Sequence, residues 1–284
     1  MNNIVIKGGI GNQMFQYTFY LFLRKKYKRQ RFTFDLSSFE FENSATYTKR
    51  NFNLHEAFKI NLKNYRSSFE LRIKKFLNLK SICDFKLIDD STFDENKKYH
   101  DVIFDGYWQN SLYIDNQINE ISKVFSFRQT PTIKEGTSRI KYHENSVGIH
   151  VRRGDYVTNS VIASIHEICS KQYYIRAVNH LKNKINSNIT IFVFTDDLTW
   201  CKENLFFTDK TYYLGDEIVL KDWEELALLS KCSHQIISNS TFSWWAAKLN
   251  QNKNSFKIAP SNWFVEEEKN NEYSSKMLTG FEIL

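Results

Sequence analysis

Proline and glycine are scarce in this 284-residue chain, at 2 Pro and 9 Gly, which argues against long flexible linkers. Cysteine is scarce too: Cys83, Cys169, Cys201 and Cys232 stand far apart with no C-x-x-C pair. That spacing excludes a disulfide scaffold or a zinc site of the usual pattern and fits reduced, mostly buried thiols of a cytosolic protein. No apolar stretch approaches the ~20 residues of a spanning helix. Polar Lys7-Gly8-Gly9 follows the first apolar residues, which is not a signal-peptide layout. The expected location is cytoplasmic, with peripheral contact at the inner face of the cytoplasmic membrane as an open option.

What the chain does contain is an ordinary globular balance, 42% hydrophobic and 25% charged, at a length that suits two packed domains. Aromatic residues reach 16%; much of that must be core, but such an excess also suits sugar-binding surfaces, where ring faces pack on a pyranose. The net charge of +7 is concentrated in Arg24–Arg31 and across Tyr65–Lys80. Nucleic acid is one conceivable partner for such patches, but no RNA-recognition signature, zinc finger or helix-turn-helix accompanies them. The second patch is amphipathic and fits an anionic membrane surface better, or a solvated basic helix face.

The opening segment reads as a strand, Ile4–Ile6, a turn through Gly8, Gly9 and Gly11, and a helix that begins near Gln13. Its spacing is neither the dinucleotide fingerprint nor the P-loop. A glycine turn ahead of a helix can hold an anion or merely need positive φ, and both readings stand at this point. Residues 1–130 form a first α/β domain, and the polar stretch 126–144, with Pro131 and Gly136, marks the boundary. From 145 to 284 strands alternate with helices: 146–151 runs into a charged turn, 171–185 is an amphipathic helix, 189–195 ends in two carboxylates, and 234–238 precedes the helix opening at Thr241. Such alternation implies βαβ units and a parallel sheet, which binds ligands at the carboxyl ends of its strands.

Three of those strand ends carry chemistry: His150–Asp155, Phe194–Asp197 and Asn239–Trp245. Arg152 and Arg153 supply forked positive charge suited to phosphate oxygens. Ser240, Thr241 and Ser243 sit at a helix start, where hydroxyls and N–H groups cap the helix or take an anion. Together the three describe a diphosphate pocket. Singly, each has a structural alternative: the arginines pair with Asp155 or Asp196, and Ser240 or Thr241 caps its helix.

"GGIGNQMFQY", "HVRRGDY", "FTDD" and "NSTFSWWAA", in this order, closely resemble the bacterial α-1,2-fucosyltransferases of glycosyltransferase family 11. "GYWQN", "HEICSKQYY" and "APSNWF" add to the likeness, which extends from about residue 4 to residue 265. The resemblance implies a GT-B-like fold, two Rossmann-like domains facing a central cleft. It implies inverting, metal-independent transfer of L-fucose from GDP-β-L-fucose to O2 of a terminal galactose, with no cofactor. Arg152 would contact the β-phosphate and help the leaving group depart, and His150 and Glu225, with Asp222 as rival, would lie beside the guanine. Gly9, Gly11, Asn12 and Gln13 would face the diphosphate-sugar across the cleft, with Asn12 touching donor sugar or phosphate. Arg153, Asp155, Asp196, Asp197, Asn239, Ser240, Thr241, Ser243, Trp244 and Trp108 complete the expected substrate contacts. His166, Asp155 and Asp196 are candidates for the base, which stays unassigned.

The acceptor would be a galactose-terminated glycan, most plausibly a lipid-linked O-antigen or related precursor, met by residues 107–110 and 39–52. The alternatives are a fucosyltransferase of another linkage, such as α-1,6, and a non-catalytic lectin stacking sugar on Trp108, Trp244, Trp245 and Trp263. A nucleic-acid binder, supported by charge alone, comes last.

Overall fold

β-branched and aromatic residues crowd the strands of this chain, and among the described residues every strand pair is parallel. The computed structural model describes residues 2–40, 50–60, 62, 65–66 and 86–284. Most of the basic stretch 65–80, Cys83 and the middle of the expected acceptor stretch 39–52 lie outside them. The chain divides into two compact units, residues 1–126 and 127–284.

In the first unit the strands are β1 (Asn2–Val5), β2 (Phe32–Asp35), β3 (Tyr65–Arg66), β4 (Lys86–Ile88) and β5 (Val102–Phe104), in spatial order β3-β2-β1-β5-β4. Gly8 turns the chain at φ +79°, so the following helix, Ile10–Lys26, starts three residues before Gln13 and takes Gly11 inside it. Phe15, Phe19 and Leu23 bury one stripe of that helix, and Arg24, Lys25 and Lys26 complement the negative end of its dipole. Phe19 stacks on Trp108 with ring centroids 3.8 Å apart and meets Phe93 and Phe104 edge-on. Much of the aromatic excess is therefore core.

In the second unit the order is β11-β10-β9-β6-β7-β8, with β6 (Ser146–Val151), β7 (Thr190–Thr195), β8 (Lys210–Tyr213), β9 (His234–Ile236), β10 (Lys257–Ala259) and β11 (Glu282–Ile283). Strand β6 is buried along its whole length, as a central parallel strand covered on both faces must be. Gly148 lies there because a Cβ would sit 2.6 Å from Leu229 Cδ1 and 3.0 Å from Cys232 Sγ. Helix Lys171–Ile185 starts on the Ser170 hydroxyl, which accepts the Tyr173 N–H, and ends at Asn186 in the left-handed region. Tyr173, Tyr174, Ala177, Val178 and Leu181 form its buried face.

The polar boundary stretch holds a helix, Pro131–Lys141, with Pro at its first turn and Thr130 as N-cap. Ile133, Gly136 and Ile140 make a narrow buried stripe, and a Cβ on Gly136 would strike Leu228. Pro131 at N1 and Gly136 at a close approach are thus both compatible with the helix. Strands β8, β10 and β11, at four, three and two residues, are too short for alternation to reveal. No described helix is long and apolar enough to cross a membrane.

Candidate active site

The register of the second sheet pairs His150 with Phe194 and Val151 with Thr195. The next residue on each strand, Arg152 and Asp196, therefore emerges at the same edge. Strand β6 has β7 on one side and β9 on the other, so the connections part at β6. Open α/β sheets place ligands at such a switch point.

Arg152 donates from Nη1 to Asp196 Oδ2 at 2.7 Å and from Nη2 to Asp155 Oδ1 at 2.5 Å. Burial works against the Arg152 charge, but Asp196 and Asp155 outweigh it and hold the guanidinium above its ordinary value. Arg153 Nε donates to Asp197 Oδ2 at 3.1 Å, and its guanidinium lies 3.9 Å over the Trp200 ring. Asp196 Oδ1 accepts the backbone N–H groups of Arg153 and Gly154, at 2.8 and 3.1 Å. Asp197 Oδ1 caps helix Leu198–Asn204 through the Trp200 N–H. A Cβ on Gly154 would lie 2.5 Å from Asp196 Oδ2, so a side chain here would push the Asp196 carboxylate off its place.

The pairing alternative thus describes Arg152, which meets both Asp155 and Asp196, while Arg153 pairs with Asp197 instead. Asp155, Asp196 and Asp197 spend oxygens on Arg152, Arg153 and the turn. They hold the guanidinium groups in place rather than offering themselves to a ligand. What the cluster provides is an oriented, permanently charged fork for which an anion must compete with carboxylates.

His150 is buried, its Nδ1 is 2.7 Å from the Ser238 hydroxyl, and its ring stacks on Phe242. Burial, then Arg152, pulls its pKa down to about 3, so the imidazole is neutral. Asn239 is a strut: Nδ2 donates to the carbonyls of Glu167 and Trp263, at 2.6 and 3.0 Å. Its own carbonyl accepts from the Tyr156 hydroxyl. Ser243 is buried and its hydroxyl bonds the Ser238 and Ser240 carbonyls. Ser240 is the N-cap of helix Thr241–Lys248 but makes no side-chain cap bond. Ser240 and Thr241 are half-buried at this edge.

The tryptophans are corrected as well. Trp108, Trp244, Trp245 and Trp263 are all at most 3% exposed, so none offers a face to sugar. Trp244 Nε1 donates to the Met277 carbonyl inside the core. The lectin alternative loses its platform.

His166 is half-buried, stacked on Tyr156 at 4.9 Å and beside Phe264 at 5.3 Å. Its Nδ1 is buried without a hydrogen-bond partner, and burial holds its pKa below the usual value. Glu225 is half-buried on helix Asp222–Leu229. Burial, then Asp222 and Asp196, push its carboxyl up to about 8 against the pull of Arg152. Asp222, its rival, is exposed.

In the first unit the connections part between β1 and β5, where the glycine turn and the turn 106–110 emerge. Asn12 Oδ1 accepts from Gln109 Nε2 at 3.0 Å. The N–H groups of Ile10 and Gly11 belong to the first helical turn and have no acceptor within the helix. Gln13 is corrected: it is fully buried, Nε2 donates to the Gly8 and Asn51 carbonyls, and Oε1 accepts the Asn53 N–H. It ties residues 51–53 to the glycine turn. Sequence reasoning missed Ser238, Tyr156, Trp200 and Phe242, although each lies within or beside one of the motifs, and it placed Gln109 only on the acceptor side. Among the described residues no cluster of three or more His, Cys, Asp or Glu could hold a metal ion.

Comparison with known proteins matches residues 1–280 to the family described as Glycosyl transferase family 11. The chain is 30% identical over 284 residues to an Escherichia coli alpha-1,2-colitosyltransferase, covering 93% of each chain. It is 27% identical to the Escherichia coli O-antigen biosynthesis glycosyltransferase WbnK, across 92% of this chain and 94% of that one. A shorter match, 33% identical over 106 residues, is to galactoside alpha-(1,2)-fucosyltransferase 2 of Gorilla gorilla gorilla, covering 36% of this chain and 30% of that one.

Proposed function

The chain belongs to glycosyl transferase family 11, and from that premise we propose that it transfers L-fucose from GDP-β-L-fucose to the 2-hydroxyl of a terminal β-galactose, with inversion. The observation that carries this reading is Arg152, fixed between two carboxylates at the end of the central strand β6. Departing GDP concentrates negative charge on its β-phosphate, and a pre-oriented guanidinium stabilises that charge without reorganising. Arg153, Ser240 and Thr241 would share the diphosphate, and neutral His150 and Glu225 the guanine. Asn12, with the N–H groups from Gly9 to Gly11, would contact donor sugar or phosphate.

In the transfer the anomeric carbon breaks its bond to the phosphate oxygen as the galactose O2 attacks from the opposite face. The O2 proton leaves late, to His166, to a carboxylate or to water. Arginine takes the leaving-group charge in this scheme, so catalysis is expected without a metal.

The α-1,2 linkage is supported over α-1,6 by the likeness to an alpha-1,2-colitosyltransferase and a galactoside alpha-(1,2)-fucosyltransferase. The colitosyltransferase likeness favours one second reading: a donor whose sugar is colitose, which is L-fucose without its 3-hydroxyl. The test is GDP release from GDP-fucose and from GDP-colitose, with EDTA present, using Galβ1,3GalNAc, Galβ1,3GlcNAc, lactose and N-acetyllactosamine. Acceptor-dependent release from GDP-fucose that survives EDTA is expected. Release from GDP-colitose alone would transfer the assignment to that donor, and release that needs a metal would remove Arg152 from its role.

The O-antigen context of WbnK supports a lipid-linked precursor as acceptor, handled at the inner membrane face. Flotation with vesicles of anionic lipid should then recover more protein than with neutral vesicles, and equal recovery would discard the membrane contact.

A further inference from the structure

The two arginines that follow strand β6 are held in opposite ways. Arg152 spends both terminal nitrogens on carboxylates, Nη1 on Asp196 and Nη2 on Asp155. Arg153 spends only its inner nitrogen, Nε, which donates to Asp197 Oδ2 at 3.1 Å. Among the described residues its Nη1 and Nη2 meet no acceptor, although the side chain is only 16% exposed. Guanidinium N–H groups this sheltered call for acceptors, and a fork of them matches phosphate oxygens.

Trp200 supplies the surface on which that fork lies. The Arg153 guanidinium carbon is 3.9 Å from the centre of the Trp200 ring, a close contact for a cation over an indole. One carboxylate builds the pair: Asp197 Oδ2 takes Arg153 Nε, while Oδ1 takes the Trp200 N–H at 3.1 Å. Asp197 is itself fixed at the end of β7, where its own N–H donates to Thr195 Oγ1 at 3.0 Å. The Trp200 side chain packs against the buried cluster that includes Val151, Val193 and Cys201. The guanidinium is thus located through its Nε and its face, which leaves the Nη1 and Nη2 end for a ligand. Of the 6 tryptophans, Trp108, Trp223, Trp244, Trp245 and Trp263 are at most 4% exposed, whereas Trp200 is half-buried at the strand-end edge.

We propose that Trp200 is the positioning residue of Arg153: its ring, with the Asp197 carboxylate, presents Nη1 and Nη2 of Arg153 to the diphosphate of the donor. The inference rests on the reading above that Arg153 shares the diphosphate. The test is a double-mutant cycle on GDP affinity, measured by calorimetric titration of the whole chain, with a melting curve for every variant. Arg153→Ala should weaken GDP by about tenfold or more, the scale of charge-assisted hydrogen bonds. The ringless variants Trp200→Leu and Trp200→Met should each weaken it by about fivefold, the scale of one sheltered cation–π contact. Trp200→Phe restores a ring face and should stay within about twofold of the parent. In the Arg153→Ala background Trp200→Leu and Trp200→Met should cost nothing further. A merely structural role for Trp200 would go on costing affinity there, so equal penalties with and without Arg153 would overturn the positioning role. Harmless ringless variants beside a damaging Arg153→Ala would overturn it too, as would a Trp200→Phe as weak as Trp200→Leu, and both results leave the Arg153 reading intact. A harmless Arg153→Ala would overturn that reading itself.

Discussion

Arg152→Ala should lower kcat for fucosyl transfer by about 10²–10³-fold, or about 2.7–4 kcal/mol, the usual cost of removing one pre-oriented donor from a developing anion. The affinity for GDP should change much less, by under about tenfold, because in the proposed reading Arg153 and the edge around Ser240 and Thr241 would still meet the diphosphate. Loss confined to kcat and kcat/KM marks an interaction made in the transition state. Arg152→Lys should recover only part of the rate. A lysine keeps the charge but cannot hold Asp155 and Asp196 on two parallel nitrogens. Alanine leaves both carboxylates without that cation and lysine holds at most one of them, so both variants should melt a few degrees lower than the parent, alanine more than lysine. Single-turnover rates and GDP titrations on the folded variants decide the matter. A wild-type kcat in Arg152→Ala, or a GDP affinity that falls as far as the rate, would move the leaving-group role elsewhere.

The carboxylates around Arg152 also explain what could and could not be read from residues alone. Apolar runs that stop at charged residues marked the ends of β6 and β7, because a buried strand must release its polar groups at the sheet edge. The partner of each arginine was open, since Asp155 is close in sequence and Asp196 is brought alongside only by the register of β6 on β7. Tryptophans in a sugar-enzyme motif suggested stacking platforms, yet Trp108 and Trp244 are core. Burial depends on what packs against a ring, which no local pattern carries. Gln13 and Asn239 failed in the same way: polar residues in a motif were spent as struts for loops distant in sequence. The pairing of Gln109 with Asn12 was hidden for the converse reason, because the two are 97 positions apart. The helix from Pro131 was hidden by two residues that usually end helices, each of which has a place within one.

GDP affinity should rise with pH up to about 8 and then level off, because Glu225 enters binding in the wrong protonation state. In the free protein, burial and the neighbouring Asp222 and Asp196 raise its carboxyl to about 8, so near neutrality it is mostly protonated. The edge of guanine assigned to it offers N–H groups, which call for an ionised acceptor. The nucleotide therefore selects the deprotonated form, and binding below pH 8 must expel a proton. Each pH unit below the free pKa should weaken GDP by about tenfold, or 1.36 kcal/mol, and above it the penalty vanishes. The sign would reverse if Glu225 faced the phosphates, since ionisation would then add a like charge beside them. His150 contributes no slope in this range, being neutral throughout. Calorimetric titration of GDP in two buffers of different ionisation enthalpy measures the proton directly. Release approaching one proton near pH 7, abolished in Glu225→Gln and kept in Asp222→Asn, is the expected result. Proton uptake, or a slope that survives Glu225→Gln and disappears in Asp222→Asn, would hand the guanine to Asp222 and leave Glu225 as a buried acid beside the diphosphate.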